Sequence, residues 1–133
     1  MIETLKKPTN TGLMRRKIIK YLDDLVSKIV RIRDKRCVTC GSVENASCSH
    51  LFKRGDSVLR FDLINCNQQC VECNEKHEHN REPYERWWKD RYGENLYNQY
   101  KSYSYVIYKW KLFELKEKKQ TLLEIYKRYK NEM

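Results

Sequence analysis

The chain has 133 residues, of which 40% are hydrophobic and 35% charged, and its formal net charge at pH 7 is +10. This length predicts one domain, and no apolar run approaches the about 18 residues that a membrane-spanning helix needs, which excludes such a helix. A basic chain favours a polyanionic partner, with nucleic acid ahead of a membrane surface or an acidic protein.

The charge is concentrated at the two ends of the chain. Residues 1–36 hold 11 Lys and Arg against 4 Asp and Glu, and residues 82–133 hold 12 against 8, whereas residues 37–81 are nearly neutral. The N-terminus lacks the apolar core and cleavage site of a signal peptide, so we expect a cytoplasmic protein. In that reducing compartment, the six cysteines favour metal binding over disulfides.

The N-terminal third predicts one long helix. Residues 1–12 contain Pro8 and show no periodicity, so we expect a loose leader there. From residue 13 to about residue 36, apolar residues recur at alternating spacings of four and three, which predicts an amphipathic helix. These residues are Ile18, Leu22, Leu25, Ile29 and Ile32. The Lys and Arg residues on its other faces are either solvated or in contact with phosphates.

Two Cys-x-x-Cys pairs, Cys37 with Cys40 and Cys70 with Cys73, predict a zinc site. Four thiolates supplied by two tight turns suit tetrahedral Zn²⁺. Such a closed site is structural, and its binding free energy contributes to folding. Two disulfides or free buried cysteines are the alternatives. The other two cysteines, Cys48 and Cys66, are interpreted as small buried residues.

The segment between the two pairs predicts a β-hairpin. Gly41 and Asn45 mark turns, and the Gly-Asp dipeptide at residues 55–56 is typical of a hairpin turn. We expect short strands at residues 47–53 and 58–62, followed by a short helix that carries the second cysteine pair.

The C-terminal part predicts further helices. Pro83 is typical of a first helical turn, and Gly93 would end the helix predicted at residues 84–92. A break near residues 102–104 would precede a long final helix. Its apolar stripe comprises Leu112, Leu115, Leu122, Ile125 and Tyr129. The ten tyrosines are interpreted as core or dimer contacts rather than as platforms that stack on bases.

These elements predict an α+β fold, in which a zinc-stapled treble-clef or ββα-metal core carries N- and C-terminal helices. The leader and basic helix occupy residues 1–36, the core residues 37–81, and the C-terminal helical region residues 82–133. We expect the three parts to form a single compact unit.

His50 is the candidate catalytic residue. A histidine on the first strand of a zinc-stapled hairpin suits one-metal phosphodiester hydrolysis, in which a neutral imidazole takes a proton from the attacking water. A divalent cation holds the phosphate. Asn65 is the candidate that orients the imidazole, and Asn74 is the candidate metal contact. His77 and Asn80 either share that role or contact DNA. The alternative for His50 is a purely structural histidine.

Three basic residues flank the predicted hairpin. Lys53, Arg54 and Arg60 either position DNA phosphates or belong to a solvated surface. No role is assigned to His79 or Arg81.

At these residues the sequence resembles the HNH (His-Me finger) endonucleases and, more narrowly, the NinG/Rap family of bacteriophage recombination proteins, which resolve branched DNA such as Holliday junctions. The resemblance covers about a third of the chain. It rests on Cys37-x-x-Cys40-Gly41, Ser49-His50-Leu51, Arg54-Gly55, Leu59-Arg60-Phe61, Asn65-Cys66, Gln69-Cys70-x-x-Cys73-Asn74 and Asn80.

The resemblance implies zinc at the four paired cysteines, a general base at His50, a structural or catalytic role for Asn65 and metal contact at Asn74. It also implies a catalytic Mg²⁺ or Mn²⁺ ion, and a gene carried by a phage or prophage in a bacterial host.

Two positions depart from the family pattern. Many HNH enzymes place an aspartate beside the catalytic histidine, whereas Ser49 precedes His50 here, after Ser47 and Cys48. Hard cations prefer charged oxygen ligands, so Asp56, Asp62 or the DNA phosphate would have to supply the charge. Asn67 stands where the phage family often has a histidine.

We therefore expect a metal-dependent endonuclease that cleaves branched DNA. Symmetric cleavage of a four-way junction needs two active sites, which predicts a homodimer, with the apolar seams of the first and last helices as its surface. The alternatives are a non-catalytic treble-clef zinc module that binds nucleic acid, and an HNH nickase acting on ordinary duplex DNA.

Overall fold

The structure is a computed structural model that describes residues 10–132. In this range the chain combines helices with one small antiparallel sheet. The elements in chain order are α1 (Asn10–Asp34), β1 (Ala46–His50), β2 (Cys66–Cys70), α2 (Val71–His77), α3 (Glu82–Tyr92), α4 (Glu94–Ser104) and α5 (Leu112–Asn131). None of these helices has the length and hydrophobicity that crossing a membrane requires.

The predicted basic amphipathic helix is confirmed as α1, whose buried stripe packs against α5. Its buried residues share one hydrophobic core with Leu115 and Leu122 of α5 and with Phe61. They are Leu22, Leu25, Val26, Ile29 and Val30. Each fully buried aliphatic side chain contributes about 1.5–3 kcal/mol. The two seams that we expected to form a dimer surface therefore pack against each other within one chain.

The helix begins earlier than predicted and ends nearly where predicted. Residues 10–12 are helical, so the predicted loose leader is wrong for those three residues; residues 1–9 lie outside the described residues. At the other end, Lys35 has φ 68°, a left-handed conformation that ends a helix.

The sheet pairs β1 with β2 in an antiparallel register that places Ala46 opposite Cys70 and His50 opposite Cys66. The first predicted strand is therefore confirmed in part. The second, at residues 58–62, is wrong, because this segment forms turns. Ser57 Oγ accepts a hydrogen bond from the Leu59 amide at 3.0 Å, and such local side-chain bonds compete with strand formation.

The helices after the sheet follow the sequence prediction. Cys70 caps α2, because its Sγ accepts from the Cys73 amide. Pro83 lies in the first turn of α3, and Gly93, with φ 93°, caps its end. A second core lies between α3, α4 and the loop after β1. It comprises Leu51, Phe52, Leu59, Tyr84, Trp88, Tyr97 and Tyr100, so three of the tyrosines are packing residues as predicted.

Candidate metal centre and the adjacent cleft

The four paired cysteines converge at one end of the sheet. Their Sγ atoms all lie within 4.8 Å of one another, and those of Cys40 and Cys70 are 3.8 Å apart. In each pair the amide of the second cysteine points at the first sulfur: the Cys40 amide lies 3.5 Å from Cys37 Sγ, and the Cys73 amide lies 3.4 Å from Cys70 Sγ. Gly41 (φ +80°) and Asn45 (φ 51°) form the predicted turns beside the first pair.

The electrostatics of these thiols fit a cation. Burial raises the pKa of Cys37, but hydrogen bonds from Thr39 and from nearby backbone amides lower it more, to about 6. Burial and the neighbouring thiols raise the pKa of Cys73 to about 12. The surroundings thus favour the thiolate at Cys37 and oppose it at Cys73, and a divalent cation would remove that opposition. The six cysteines are free rather than disulfide-bonded, and the converging four could hold a zinc ion.

A cleft of about 470 Å³ opens beside the end of β1. It brings together five residues that the sequence singled out, together with residues that it did not. The lining consists of Cys48, His50, Lys53, Arg54, Asn74, His77, Glu78 and Arg81. The cleft therefore combines side chains from the end of β1 and the residues after it with side chains from α2 and the residues after it.

His50 is the last residue of β1, and its ring is fixed by a backbone contact. Nε2 lies 3.1 Å from the carbonyl oxygen of Arg60. Burial lowers the pKa of His50, and the cations of Arg54 and Arg60 act in the same direction, against the carbonyl contact and Asp23. The imidazole is therefore neutral at pH 7.

Asp23 of α1 holds the segment that carries this carbonyl. Its carboxylate accepts two hydrogen bonds from the Arg60 guanidinium, at 3.1 and 2.8 Å, and lies 3.4 Å from Arg54. Arg60, which we predicted to bind DNA, thus has a side chain already paired and only 18% exposed. Sequence reasoning missed Asp23, because an acidic residue on a basic helix resembles a solvated charge.

Asn65 is buried and serves the backbone of the loop between the strands. Its Oδ1 accepts from the Phe52 amide, and its Nδ2 donates to the carbonyl oxygens of Phe52 and Leu59. These bonds hold the loop that joins His50 to Arg60. The Asn65 side chain therefore bonds to the backbone of this loop. Its predicted orienting effect on the imidazole would act through that backbone rather than through a direct side-chain contact.

Asn74 and His77 project from α2 towards β1. The Asn74 side chain bonds to the hydroxyls of Ser49 and Ser47. His77 Nε2 lies 3.1 Å from the Leu51 carbonyl oxygen, while its buried Nδ1 has no hydrogen-bond partner. Burial lowers the pKa of His77. The amide thus ties α2 to β1, and the imidazole ties it to the residue that follows the strand.

The carboxylate among the cleft-lining residues is Glu78, one helical turn after Asn74. Sequence reasoning did not single it out, although the four-residue spacing from Asn74 was a usable signal. Asp62 is engaged elsewhere, because Tyr100 and the amides of Ile64 and Asn65 bond to it.

The predicted DNA-binding residues separate into two groups. Lys53 and Arg54 line the cleft, and both are exposed. Asn80 lies outside it, near the cysteine tetrad, where its Oδ1 accepts from the Glu82 amide at the start of α3.

Cys48 and Cys66, which we interpreted as small buried residues, lie beside His50. Together with His50 they form a second group whose ligand atoms lie within 4.8 Å of one another. Cys66 is fully buried as predicted, and Cys48 is partly buried. The hydrogen bond from Cys66 and the nearby Arg33 cation lower the pKa of Cys48.

These features define a small protein in which helices surround a two-stranded sheet with a cysteine tetrad at one end and a basic cleft beside it. The family model described as the bacteriophage lambda NinG protein matches residues 4–132, so the chain belongs to the NinG family. Comparisons with curated proteins and with solved structures find no match.

Proposed function

We propose that this NinG-family chain is a metal-dependent DNA endonuclease of the HNH type that cleaves branched DNA in phage recombination or repair. The observation that carries the proposal is the position of His50 in the cleft, with Nε2 held by the Arg60 carbonyl. The succession of β1, β2 and α2 with a cysteine tetrad at its end supports the ββα-metal, treble-clef arrangement expected of such enzymes.

The Arg60 carbonyl makes His50 suitable as a general base. A carbonyl oxygen only accepts hydrogen bonds, so Nε2 carries the proton and Nδ1 keeps its lone pair. Nδ1 takes a proton from a water whose oxygen attacks the phosphorus. As the new P–O bond forms, the bond to the leaving sugar oxygen breaks, and that oxygen is protonated by water.

The oxygen groups of the cleft would hold the catalytic cation. The Glu78 carboxylate and the Asn74 amide oxygen, with a DNA phosphate, are the hard ligands that Mg²⁺ or Mn²⁺ prefers. When held there, the cation would supply stabilisation of the negative charge on the phosphate and on the leaving oxygen. Glu78 thereby supplies the negative charge that the missing aspartate beside His50 leaves open.

Lys53, Arg54 and Arg81 give the cleft a positive lining for DNA phosphates. Arg81 is held in place, because its guanidinium donates to the Leu51 carbonyl at 2.8 Å and lies over the Phe52 ring. Lys53 and Arg54 are exposed, and Arg54 also pairs with Asp23 at 3.4 Å. The preference for branched DNA and a homodimer rests on the family resemblance and on the need for two cuts.

The test is cleavage of an end-labelled four-way junction beside a matched linear duplex, with Mg²⁺, Mn²⁺ or EDTA. Paired metal-dependent cuts near the branch point are the expected result. Equal cleavage of both substrates would instead indicate an HNH nickase for ordinary duplex. A junction that is retarded in a gel but uncut with every metal would contradict the enzyme and leave a zinc module that only binds nucleic acid.

A further inference from the structure

We propose that Cys48, Cys66 and His50 form a second metal site, selective for a thiophilic ion such as Zn²⁺, whose occupation silences His50. The site is distinct from the cysteine tetrad, and the two are the ligand clusters found among residues 10–132. The silencing half of the proposal rests on the proposed function, but the existence of the site does not.

The register of the sheet builds this cluster. Cys48 and His50 are two residues apart on β1 and so share one face of the strand. Cys66, the first residue of β2, lies directly opposite His50. The three ligand atoms already lie within 4.8 Å of one another, so they can surround an ion with small side-chain movements.

The chemistry of the three groups selects the ion. Two sulfurs and one imidazole nitrogen suit Zn²⁺ and other thiophilic ions, whereas Mg²⁺ prefers oxygen. Three protein ligands leave the fourth tetrahedral position for water. The surroundings also fit: Cys66 is fully buried in the main core, and the cleft beside Cys48 and His50 offers an entry path.

The Arg60 carbonyl suits a metal-bound imidazole as well as a free one. A histidine that binds a metal through one ring nitrogen usually donates from the other to a carbonyl or carboxylate. Metal on Nδ1 would use the lone pair that takes the proton from water. Metal on Nε2 would leave the ring proton on Nδ1. Metal binding through either ring nitrogen would therefore remove the general base.

The test counts zinc in the full chain under a thiol-protecting reductant, after equilibration with excess Zn²⁺ and removal of unbound ion, by elemental analysis. Wild type should bind one zinc for each of the two clusters, and Cys48→Ala and Cys66→Ala should each bind one fewer. Circular dichroism confirms that each variant is folded. Equal zinc content in wild type and both variants would overturn the site, whether or not the protein cleaves DNA.

The second arm measures the rate of Mg²⁺-dependent cleavage with and without added Zn²⁺. The rate of each protein with added Zn²⁺ is compared with the rate of the same protein without it. Wild type should lose at least tenfold in rate, while Cys48→Ala should lose less than twofold. Equal losses in both proteins would contradict the silencing of His50, even if the zinc counts establish the site.

Discussion

His50 Nε2 lies 3.1 Å from the carbonyl oxygen of Arg60. The side chain of the same Arg60 is held by Asp23 of α1, so the first helix reaches the candidate base through one residue. The basic N-terminal helix therefore supports the cleft, and substitutions in α1 should alter the position of the His50 ring.

Asp23→Ala should destabilise the protein and slow cleavage. It leaves the Arg60 guanidinium partly buried without its partner, which costs about 1.5–3 kcal/mol. The matched control is Asp24→Ala, because Asp24 pairs with Lys20 at the surface, where its side chain is 61% exposed and the pair contributes less than about 1 kcal/mol. Urea unfolding measures the free energy of unfolding of both variants. Equal destabilisation would contradict the role of Asp23.

Glu78→Gln should weaken the catalytic cation rather than the fold. The amide keeps the shape but removes the charge that Mg²⁺ prefers. The Mg²⁺ concentration for half-maximal cleavage should rise at least about tenfold, which corresponds to ~1.4 kcal/mol of lost binding. Glu75→Gln, at an exposed position of α2, is the control. A Glu78 variant with unchanged Mg²⁺ dependence would remove this carboxylate from the ligand set.

Removal of zinc from the cysteine tetrad should destabilise the sheet and α2. The tetrad joins the turn after Cys37 to β2 and α2, and metal binding contributes directly to folding. Stripping the ion should lower the unfolding temperature by at least about 10 °C, because each kcal/mol corresponds to roughly 2–8 °C. Thermal unfolding followed by circular dichroism measures this, and added zinc should restore it. An unchanged unfolding temperature, with zinc loss verified, would contradict a structural role.

The cleavage rate should be level from pH 7 to 8 and fall on acidification. Burial lowers the pKa of His50 below its ordinary value of 6.5, so the neutral base predominates at pH 7 and above. It is lost as the pH falls through the lowered pKa. Single-turnover cleavage rates, measured from pH 8 down to below the pKa of His50, give the profile. A decline centred above pH 7 would assign it to another group.

Parts of the fold that depend on local pattern were predictable. The seam of α1, Pro83 and Gly93 around α3, and the paired cysteines each carry their signal within a few residues. β2 was not predictable in this way, because its sequence is polar. Its burial is stabilised by distant partners: Asp34 accepts from the Gln68 amide, and the Tyr84 hydroxyl donates to Asn67.

The cleft shows the same limit. His50 and Asn74 could be selected from their spacing to the cysteines. Asp23 and Cys66 could not be placed, since one is brought in by the docking of α1 and the other by a strand register that the sequence did not reveal. The misplaced second strand concealed the pairing of His50 with Cys66.

The most direct test of the account is the single-turnover cleavage rate of wild type, His50→Ala and His79→Ala on a four-way junction, with junction binding measured in parallel. His79 is an exposed histidine two residues beyond α2, so its variant makes the same chemical change outside the cleft. We predict that His50→Ala loses at least about a hundredfold in rate, as expected for a general base, with binding kept, while His79→Ala cleaves as wild type does. Cleavage by His50→Ala at the wild-type rate would contradict the assignment of His50 as the base.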